Sequence, residues 1–264
     1  MSLDSQQAKH IRGRAVLEAR GVSRSYGAVR ALENVSLTLH AGEVVGLVGD
    51  NGAGKSTLTG ILSGSIAPST GEILVDGQKH AFRTPHDARG AGIETVFQDL
   101  ALAPDLSVSD NLFIGREQLA PSLSWLGWLA RRNMEKRCAE ELARLSIRIR
   151  SVKARCRELS GGQRQAIAIA RGVIWSSKAL LLDEPTAALG VEQQAQVGRL
   201  IREVASNGVA IMLISHNLPQ VLEVCDRVAV LWRGKLVADL ARSECDLDGV
   251  IQWITGAALA KRSA

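Results

Sequence analysis

The feature that most constrains this chain is a stretch of eight residues, 49–56, that reads Gly-Asp-Asn-Gly-Ala-Gly-Lys-Ser. Two glycines separated by four residues and followed by Lys-Ser are typical of a P-loop. The apolar residues 42–48 before it predict a buried strand, and the apolar spacing of residues 56–62 after it predicts a helix. Unpaired N–H groups and the dipole of such a helix attract phosphate. We therefore expect an α/β nucleotide-binding core; the alternative is a Gly-rich connection without a ligand.

The residue types inside the P-loop indicate separate tasks. Lys55 can reach the β- and γ-phosphates of a nucleotide, and the Ser56 hydroxyl can ligate Mg²⁺. The other positions offer mainly backbone N–H groups. The residues predicted to hold the nucleotide are Gly49, Asp50, Asn51, Gly52, Ala53, Gly54, Lys55, Ser56 and Thr57.

Two acidic residues follow a second apolar run. Residues 179–182 predict a buried parallel strand, and Asp183 and Glu184 stand at its end. Ligands of open α/β sheets bind at the carboxyl ends of the strands, so both carboxylates are expected beside the P-loop. Asp183 is predicted to hold Mg²⁺, and Glu184 to orient or deprotonate the attacking water. The alternative is that both acids end the strand and cap the turn at Pro185 and Thr186.

Two further polar residues follow apolar runs. His216 comes after the predicted strand 209–214, and Gln98 comes after the predicted strand 93–97. At the same sheet edge, the histidine can contact the γ-phosphate and hold the water and Glu184 in place. The Gln98 amide can ligate Mg²⁺ or the water. Each residue also has a purely structural alternative, as a packed histidine or a polar strand terminus.

A third motif identifies the class of protein. Residues 159–163, about a hundred positions after the P-loop, read Leu-Ser-Gly-Gly-Gln. Alone this could be a turn, but with the other motifs the chain resembles an ABC transporter ATPase over residues 16–256. The resemblance implies that Tyr26, the only tyrosine, stacks on the adenine of ATP; its alternative role is a partly buried surface aromatic. It also implies a Q-loop residue Gln98, an ABC signature of Leu159, Ser160, Gly161, Gly162 and Gln163, a Walker B motif at 180–184 with catalytic Glu184, and a switch histidine, His216.

The resemblance implies an α/β fold with a P-loop NTPase core of the ABC type, an antiparallel β subdomain and an inserted α-helical subdomain. The core with its β subdomain is expected over residues 16–98 and 158–250, and the helical subdomain over 99–157. Residues 1–14 and 256–264 are expected to be flexible tails. Inside the helical subdomain, apolar spacing predicts one helix capped by Ser109 or Asp110 and a second over residues 134–145. The apolar stretch 121–128 is expected to be a packed loop.

The resemblance also implies a mechanism and partners. Two chains associate head to tail as a homodimer and trap two ATP molecules, each between one Walker A motif and the other chain's signature. Ser160, Gly161 and Gly162 then bind the partner's γ-phosphate at the start of a helix that begins near Gln163. The implied partners are membrane permease subunits and, indirectly, a periplasmic-type substrate-binding protein. The implied location is peripheral, at the cytoplasmic face of the inner membrane.

Secondary matches indicate one branch of the family. Residues 97–102, 114–117, 184–190 and 215–219 resemble the single-copy ATPases of bacterial ribose, xylose and fructose importers. We therefore expect an importer for a monosaccharide. One position departs from the family pattern, because Gly190 stands where an interface aspartate is usual. This puts in doubt the usual hydrogen bonds of that loop across the dimer.

Alternative functions stay open from the sequence: an exporter ATPase, an ABC ATPase that acts on nucleic acid, and a nucleotide sensor that does not hydrolyse ATP. The net charge is +5, and residues 131–157 hold ten basic residues against three acidic ones. We expect this segment to be a solvated helical face; its alternative role is attraction to anionic lipid. We expect no nucleic-acid partner, because the features that usually accompany one do not fit this length.

Composition agrees with a subunit that needs membrane partners. With 46% apolar residues in 264, the chain can bury one large core. No stretch approaches the ~20 apolar residues of a membrane span. The first residues lack an apolar signal region, and the four cysteines show neither metal spacing nor a compact disulfide pattern. Reduced, cytosolic thiols are expected.

Overall fold

The structure, a computed structural model, describes residues 13–120, 128–187 and 189–263. A six-stranded sheet lies at its centre. In spatial order its strands are β10 (Lys235–Ala241), β9 (Arg227–Trp232), β3 (Val44–Val48), β8 (Ala210–Ile214), β7 (Ala179–Asp183) and β6 (Ile93–Val96). Neighbouring strands are parallel except β9 and β10. The apolar runs predicted as core strands are therefore confirmed, with ends shifted by one or two residues.

The central sheet is buried on both faces. In β3, Val44 and Val48 belong to one apolar cluster, whereas Val45 and Leu47 belong to another on the opposite face. Successive side chains of a strand alternate between faces, so a strand covered on both sides is apolar at every position. This explains why the core strands are continuous apolar runs instead of alternating ones.

A second, antiparallel sheet covers one face of the first. Its strand order is β2 (Val29–His40), β1 (Ala15–Tyr26), β4 (Thr70–Val75) and β5 (Gln78–His80). The connection from β4 to β5 consists of Asp76 and Gly77, with φ values of 51° and 77°. Positive φ at both positions is the type I′ hairpin turn that Asp-Gly favours. The predicted antiparallel β subdomain is confirmed.

Helices complete the fold. They are α1 (Lys55–Leu62), α2 (Pro85–Gly90), α3 (Val108–Phe113), α4 (Arg131–Arg144), α5 (Gly161–Trp175), α6 (Val191–Ser206), α7 (Leu218–Val224), α8 (Leu247–Ile254) and α9 (Ala257–Ser263). Apolar residues of α1 pack on the side of the β subdomain, and those of α5, α6 and α7 pack on the opposite face of the central sheet. Among the described residues, no helix has the length and apolar character needed to cross a bilayer.

The helical region differs in detail from its prediction. The α3 helix is capped by Ser107, whose Oγ accepts a hydrogen bond from the Asp110 N–H at 3.0 Å, so the predicted caps Ser109 and Asp110 are wrong. Ser109 is buried inside the helix. The α4 helix begins at Arg131, three residues before its predicted start at Met134. Its first turn is exposed and basic, so apolar spacing could not reveal it.

The carboxyl-terminal region is more regular than expected. Strand β10 continues to Ala241, and residues 257–263 form α9, where the sequence analysis expects a flexible tail. Gly256, with φ 80°, separates α8 from α9. The predicted tail at 1–14 and the predicted loop at 121–128 lie largely outside the described residues.

Candidate active site

The P-loop leads from β3 into α1, and its glycines fit where other residues would not. Gly54 precedes α1 with φ 107°, and a Cβ there would lie 2.6 Å from the Ala31 carbonyl oxygen. Gly49 has φ 153°, and its Cβ would lie 2.3 Å from the Leu231 carbonyl oxygen. Both approaches are too short for any side chain. The loop can therefore curl tightly around a phosphate only with glycine at these positions.

Lys55 is held inside this curl. Its Nζ donates to the carbonyl oxygens of Gly49 at 2.8 Å and Asp50 at 3.0 Å, and the residue is 8% exposed. Burial lowers the pKa of Lys55, and the charges of Glu184, Asp50 and Asp183 oppose that shift. The ammonium group is thus already directed into the loop, where phosphate oxygens are stronger acceptors than the carbonyls it contacts now.

A cavity of about 330 Å³ adjoins the P-loop. It brings together residues from the ends of four neighbouring strands. Its lining consists of Ala31, Asn51, Gly52, Gly54, Lys55, Ser56, Thr57, Gln98, Asp183, Glu184, Ile214 and His216. Of the predicted P-loop set, Gly49, Asp50 and Ala53 shape the loop without lining the cavity. Ala31 was not predicted, and no signal in the sequence distinguishes it.

The two carboxylates enter this cavity from the end of β7. Asp183 pairs in register with Ile214, the last residue of β8. Glu184 follows with φ 50°, a left-handed conformation that is costly for a residue other than glycine, and its N–H donates to the Ile214 carbonyl at 2.9 Å. Burial raises the pKa of both carboxyl groups above their usual values, against the opposing charges of Lys55 and His216. A raised pKa makes a carboxylate a better proton acceptor.

His216 lies beside Glu184. Its Nε2 is 3.3 Å from Glu184 Oε1, and its backbone N is 3.5 Å from Oε2. The Glu184 Oε1 atom is buried and accepts no well-oriented hydrogen bond from the described residues. It is therefore free to accept one from a water molecule or a protonated imidazole. Gln98 also lines the cavity and is exposed.

The donors in the cavity fit a magnesium ion. The Ser56 hydroxyl, the Gln98 amide oxygen and the Asp183 carboxylate are hard oxygen donors that line one space. The described residues contain no cluster of three or more His, Cys, Asp or Glu side chains able to hold a metal. Mg²⁺ needs no such cluster, because phosphate oxygens and water complete its octahedral shell.

Tyr26 lies apart from this cavity. It ends β1, is 46% exposed, and its ring centroid is 4.9 Å from the guanidinium carbon of Arg24. The Arg24 guanidinium thus covers one face of the ring, in an electrostatically favourable cation–π contact. The expected stacking on adenine stays a prediction.

The signature motif forms the start of α5, away from the P-loop cavity. Ser160 caps this helix: its Oγ accepts from the Gln163 N–H at 3.2 Å, and Gln163 Oε1 accepts from the Ser160 N–H at 3.1 Å. This capping box starts the helix at Gly161, two residues before the predicted start. Signature residues line a different cavity, of about 750 Å³, together with residues of α6. A single chain therefore does not place its signature against its own P-loop.

One contact that the sequence does not reveal connects these two regions. Arg171, on α5, donates hydrogen bonds of 2.8 Å to the carbonyl oxygens of both Leu100 and Ala101. These carbonyls follow Gln98 in the chain. The signature helix is therefore bonded to the segment that leaves the P-loop cavity. In the sequence, an arginine on a helix is indistinguishable from a solvated surface charge.

Comparison with known proteins agrees with this geometry. A fructose import ATP-binding protein from Rhizobium meliloti is 42% identical over 94% of this chain and 97% of its own length. A xylose/arabinose import ATP-binding protein from Sulfolobus acidocaldarius is 44% identical over 93% of this chain and 96% of its own length. A ribose import ATP-binding protein from Burkholderia cenocepacia is 40% identical, but the match spans only 47% of that longer protein.

Solved structures show the same fold. A nucleotide-free ATP-binding cassette of an ABC transporter superposes with a TM-score of 0.78 at 25% identity, covering 90% of this chain and 95% of that one. A second cassette was solved as a dimer in a post-hydrolysis state with ADP and phosphate. It superposes with a TM-score of 0.71 at 25% identity, covering 86% of this chain and 98% of that one. The ABC transporter family matches residues 32–187. The chain belongs to the ABC transporter family, as one of its ATPase subunits.

Proposed function

We propose that this chain supplies the energy for a membrane importer of a monosaccharide, by binding and hydrolysing ATP. The observation that carries the proposal is the cavity in which Lys55, Glu184 and His216 meet at the P-loop. The names of the most similar relatives, which import fructose and xylose or arabinose, support the substrate class.

The proposed chemistry follows from these positions. P-loop N–H groups and Lys55 bind the phosphates, and Ser56, Asp183 and Gln98 would hold Mg²⁺, which neutralises phosphate charge when bound. Glu184 accepts a proton from the water whose oxygen attacks the γ-phosphorus. The bond to the β–γ bridging oxygen breaks, and ADP and phosphate leave. His216 holds the Glu184 carboxylate in position and faces the γ-phosphate.

A second copy of the chain completes the site in this proposal. The signature at the start of α5 lies outside the P-loop cavity of its own chain, so it is available to a partner. Ser160, Gly161 and Gly162 would bind the partner's γ-phosphate, and Tyr26 would stack on adenine. The dimeric cassette with ADP and phosphate supports this arrangement. Permease subunits, a substrate-binding protein and a position at the cytoplasmic membrane face belong to the same proposal.

The transport assignment is tested by removing the protein. Disruption of its gene in the organism that encodes it should abolish uptake of labelled fructose, xylose or ribose. The wild-type gene should restore uptake, and a Glu184→Gln gene should not. Unchanged uptake of all three sugars would contradict monosaccharide import, and increased accumulation of a compound in the mutant would indicate export.

Gln98→Ala is expected to reduce transport more than nucleotide affinity. Gln98 lines the ATP cavity, and the carbonyls just after it are bonded by Arg171 of the signature helix. The substitution leaves the P-loop and Lys55 contacts to the nucleotide in place but removes the side chain by which the segment bonded to Arg171 reaches the cavity. ATP affinity is measured by titration, and its loss is compared with the loss of ATP-driven uptake. Equal losses of both quantities would argue against a coupling role.

Gly190→Asp is expected to be tolerated and to raise stability by only a few tenths of a kcal/mol. Gly190 precedes α6 with φ −70° and ψ 164°, and an added Cβ would meet no atom within 4 Å. An aspartate there can cap the helix, but glycine already caps almost as well. Thermal unfolding of Gly190→Asp and Gly190→Ala checks this expectation. A loss of more than about 1 kcal/mol in the aspartate variant would show that the position is not open.

A further inference from the structure

An exposed apolar stem lies beside unpaired basic residues. Leu119 and Leu129 pair across an antiparallel bridge, and the Ala120 N–H donates to the Trp128 carbonyl at 2.7 Å. The side chains of Leu119, Trp128 and Leu129 are 47%, 62% and 36% exposed. We call these three residues the apolar stem. A soluble surface tolerates single exposed apolar side chains, whereas three on adjoining positions of one bridge indicate a contact site.

Two arginines follow the apolar stem directly. Arg131 and Arg132 lie in the first turn of α4 and are exposed, and their side chains have no hydrogen bond or ion pair within the parts of the chain that the structure describes. That turn contains no acidic residue, and Ala130 provides no side-chain cap. Positive charge at a helix N-terminus is unfavourable, because the helix dipole is positive there. The local structure therefore gives no compensation for these two charges.

Of the other eight basic residues of this region, five have a partner, among them Lys136 with Glu140 at 3.9 Å, whereas the exposed side chains of Arg148, Arg150 and Arg155 have none among the described residues. Arg144 bonds Glu141 at 2.8 Å, Lys153 bonds Glu135 at 3.2 Å, and Arg157 bonds Asp105 at 2.7 Å. A further one, Arg137, stacks over the ring of Trp175. Two of the five basic side chains without a partner among the described residues, those of Arg131 and Arg132, thus lie beside the apolar stem.

We propose that the apolar stem, together with Arg131 and Arg132, is a surface that binds anionic lipid directly. Tryptophan and leucine side chains enter the interfacial layer of a bilayer, and adjacent arginines attract anionic headgroups. A fluid anionic surface satisfies both charges without a matching acidic patch. The proposal goes beyond ATP-driven import, because it gives the subunit its own contact with the membrane, separate from the permease.

The test is co-sedimentation of the full chain with phospholipid vesicles. The wild type should bind vesicles that contain phosphatidylglycerol, bind pure phosphatidylcholine weakly, and lose binding as salt is raised. The double variant R131Q/R132Q should bind about 30-fold more weakly, at ~1 kcal/mol for each charge. The matched double variant R144Q/K153Q removes two ion-paired charges from the same region, and should weaken binding less than about 3-fold.

The apolar contribution is tested separately. Trp128→Ala should weaken vesicle binding about 10-fold, whereas L247A/I251A, which removes two exposed apolar side chains on α8, should not change it. Tryptophan emission should shift to shorter wavelength on anionic vesicles, and Trp128→Phe should abolish that shift. Unchanged thermal unfolding and ATP binding show that each variant is folded.

Three results would overturn the proposal. The first is no binding of the wild type to anionic vesicles, and the second is an equal loss in the two double charge variants, which would reflect net charge alone. The third is binding only to native membranes, abolished when those membranes are first treated with protease. That result would assign the surface to a protein partner.

Discussion

Glu184→Gln is expected to lower the rate of ATP hydrolysis by about 10²–10⁴-fold and to leave ATP binding intact. The glutamine amide has the same shape as the carboxylate but cannot accept a proton from the attacking water. The P-loop, Lys55 and Ser56 are untouched, so the affinity for ATP should stay within about 3-fold. Since ATP is then trapped and not cleaved, the variant should accumulate as an ATP-bound dimer.

Phosphate release at saturating ATP measures the loss of activity, and size-exclusion chromatography with and without ATP measures the dimer. Glu140→Gln is the matched control, because its side chain is 64% exposed on α4 and far from the cavity lining. A Glu184→Gln variant that keeps more than about a tenth of the wild-type rate would show that another group accepts the proton.

The pH dependence of hydrolysis provides a related expectation. Burial raises the pKa of Glu184 above its usual value, against the charge of His216. The carboxylate is the active form, so the rate should fall as the pH drops through this raised pKa. A rate profile measured from neutral to acidic pH checks the expectation. This acidic limb should disappear from the residual activity of Glu184→Gln.

The largest expected effect on stability comes from Arg227→Met. At the end of the central sheet opposite the ATP cavity, the Arg227 side chain bonds Glu43, Asp239 and the Thr38 carbonyl. The three charged side chains are only 10–13% exposed. Methionine fills similar volume but leaves two buried carboxylates without their cation. Breaking such a pair is expected to cost about 3–5 kcal/mol.

Arg202→Met is the matched control for this prediction. Arg202 bonds Asp226 at 2.7 Å at the same end of the sheet, but both side chains are more than 40% exposed. An exposed pair contributes about 0–1 kcal/mol. Urea unfolding should therefore show that the loss in free energy of unfolding is several-fold larger for Arg227→Met than for Arg202→Met. Similar losses would mean that burial does not decide the strength of these pairs here.

The same cluster predicts a dependence of stability on pH. Burial alone would raise the pKa of Glu43, but hydrogen bonds and charge from Arg227 and His40 outweigh it, so the pKa lies below its usual value. A carboxylate with a lowered folded-state pKa stabilises the fold above its unfolded pKa. This stabilisation is lost as the pH falls through the lowered value. The Arg227→Met variant should lack most of this stabilisation, because Arg227 is the main cause of the lowered pKa of Glu43. Urea unfolding at several pH values would show the difference.

The meeting of the P-loop, Asp183 and His216 at one sheet edge is predictable from the sequence, because these residues sit at strand ends. Gly54, Asp183 and His216 each follow an apolar run, and parallel strands bring their carboxyl ends to one edge. The antiparallel subdomain is likewise predictable, since the Asp76-Gly77 turn has a distinct local preference. These features depend on short-range patterns that are readable along the chain.

Other features depend on contacts between distant parts of the chain, and the sequence does not reveal them. The bonds from Arg171 to Leu100 and Ala101 join residues about 70 positions apart. The cluster around Arg227 reaches Glu43 across 184 positions. The polar start of α4 also escaped prediction, because an exposed first turn carries no apolar spacing.

The central claim is that each hydrolytic site needs two chains, since one chain holds its P-loop and its signature apart. The most direct test is the hydrolysis rate per chain at saturating ATP, measured over a dilution series in which mass photometry counts single chains and pairs. If each site is formed by two chains, the rate per chain falls in proportion to the fraction of chains in pairs. A constant rate, in solutions where nearly all chains are single, would contradict it.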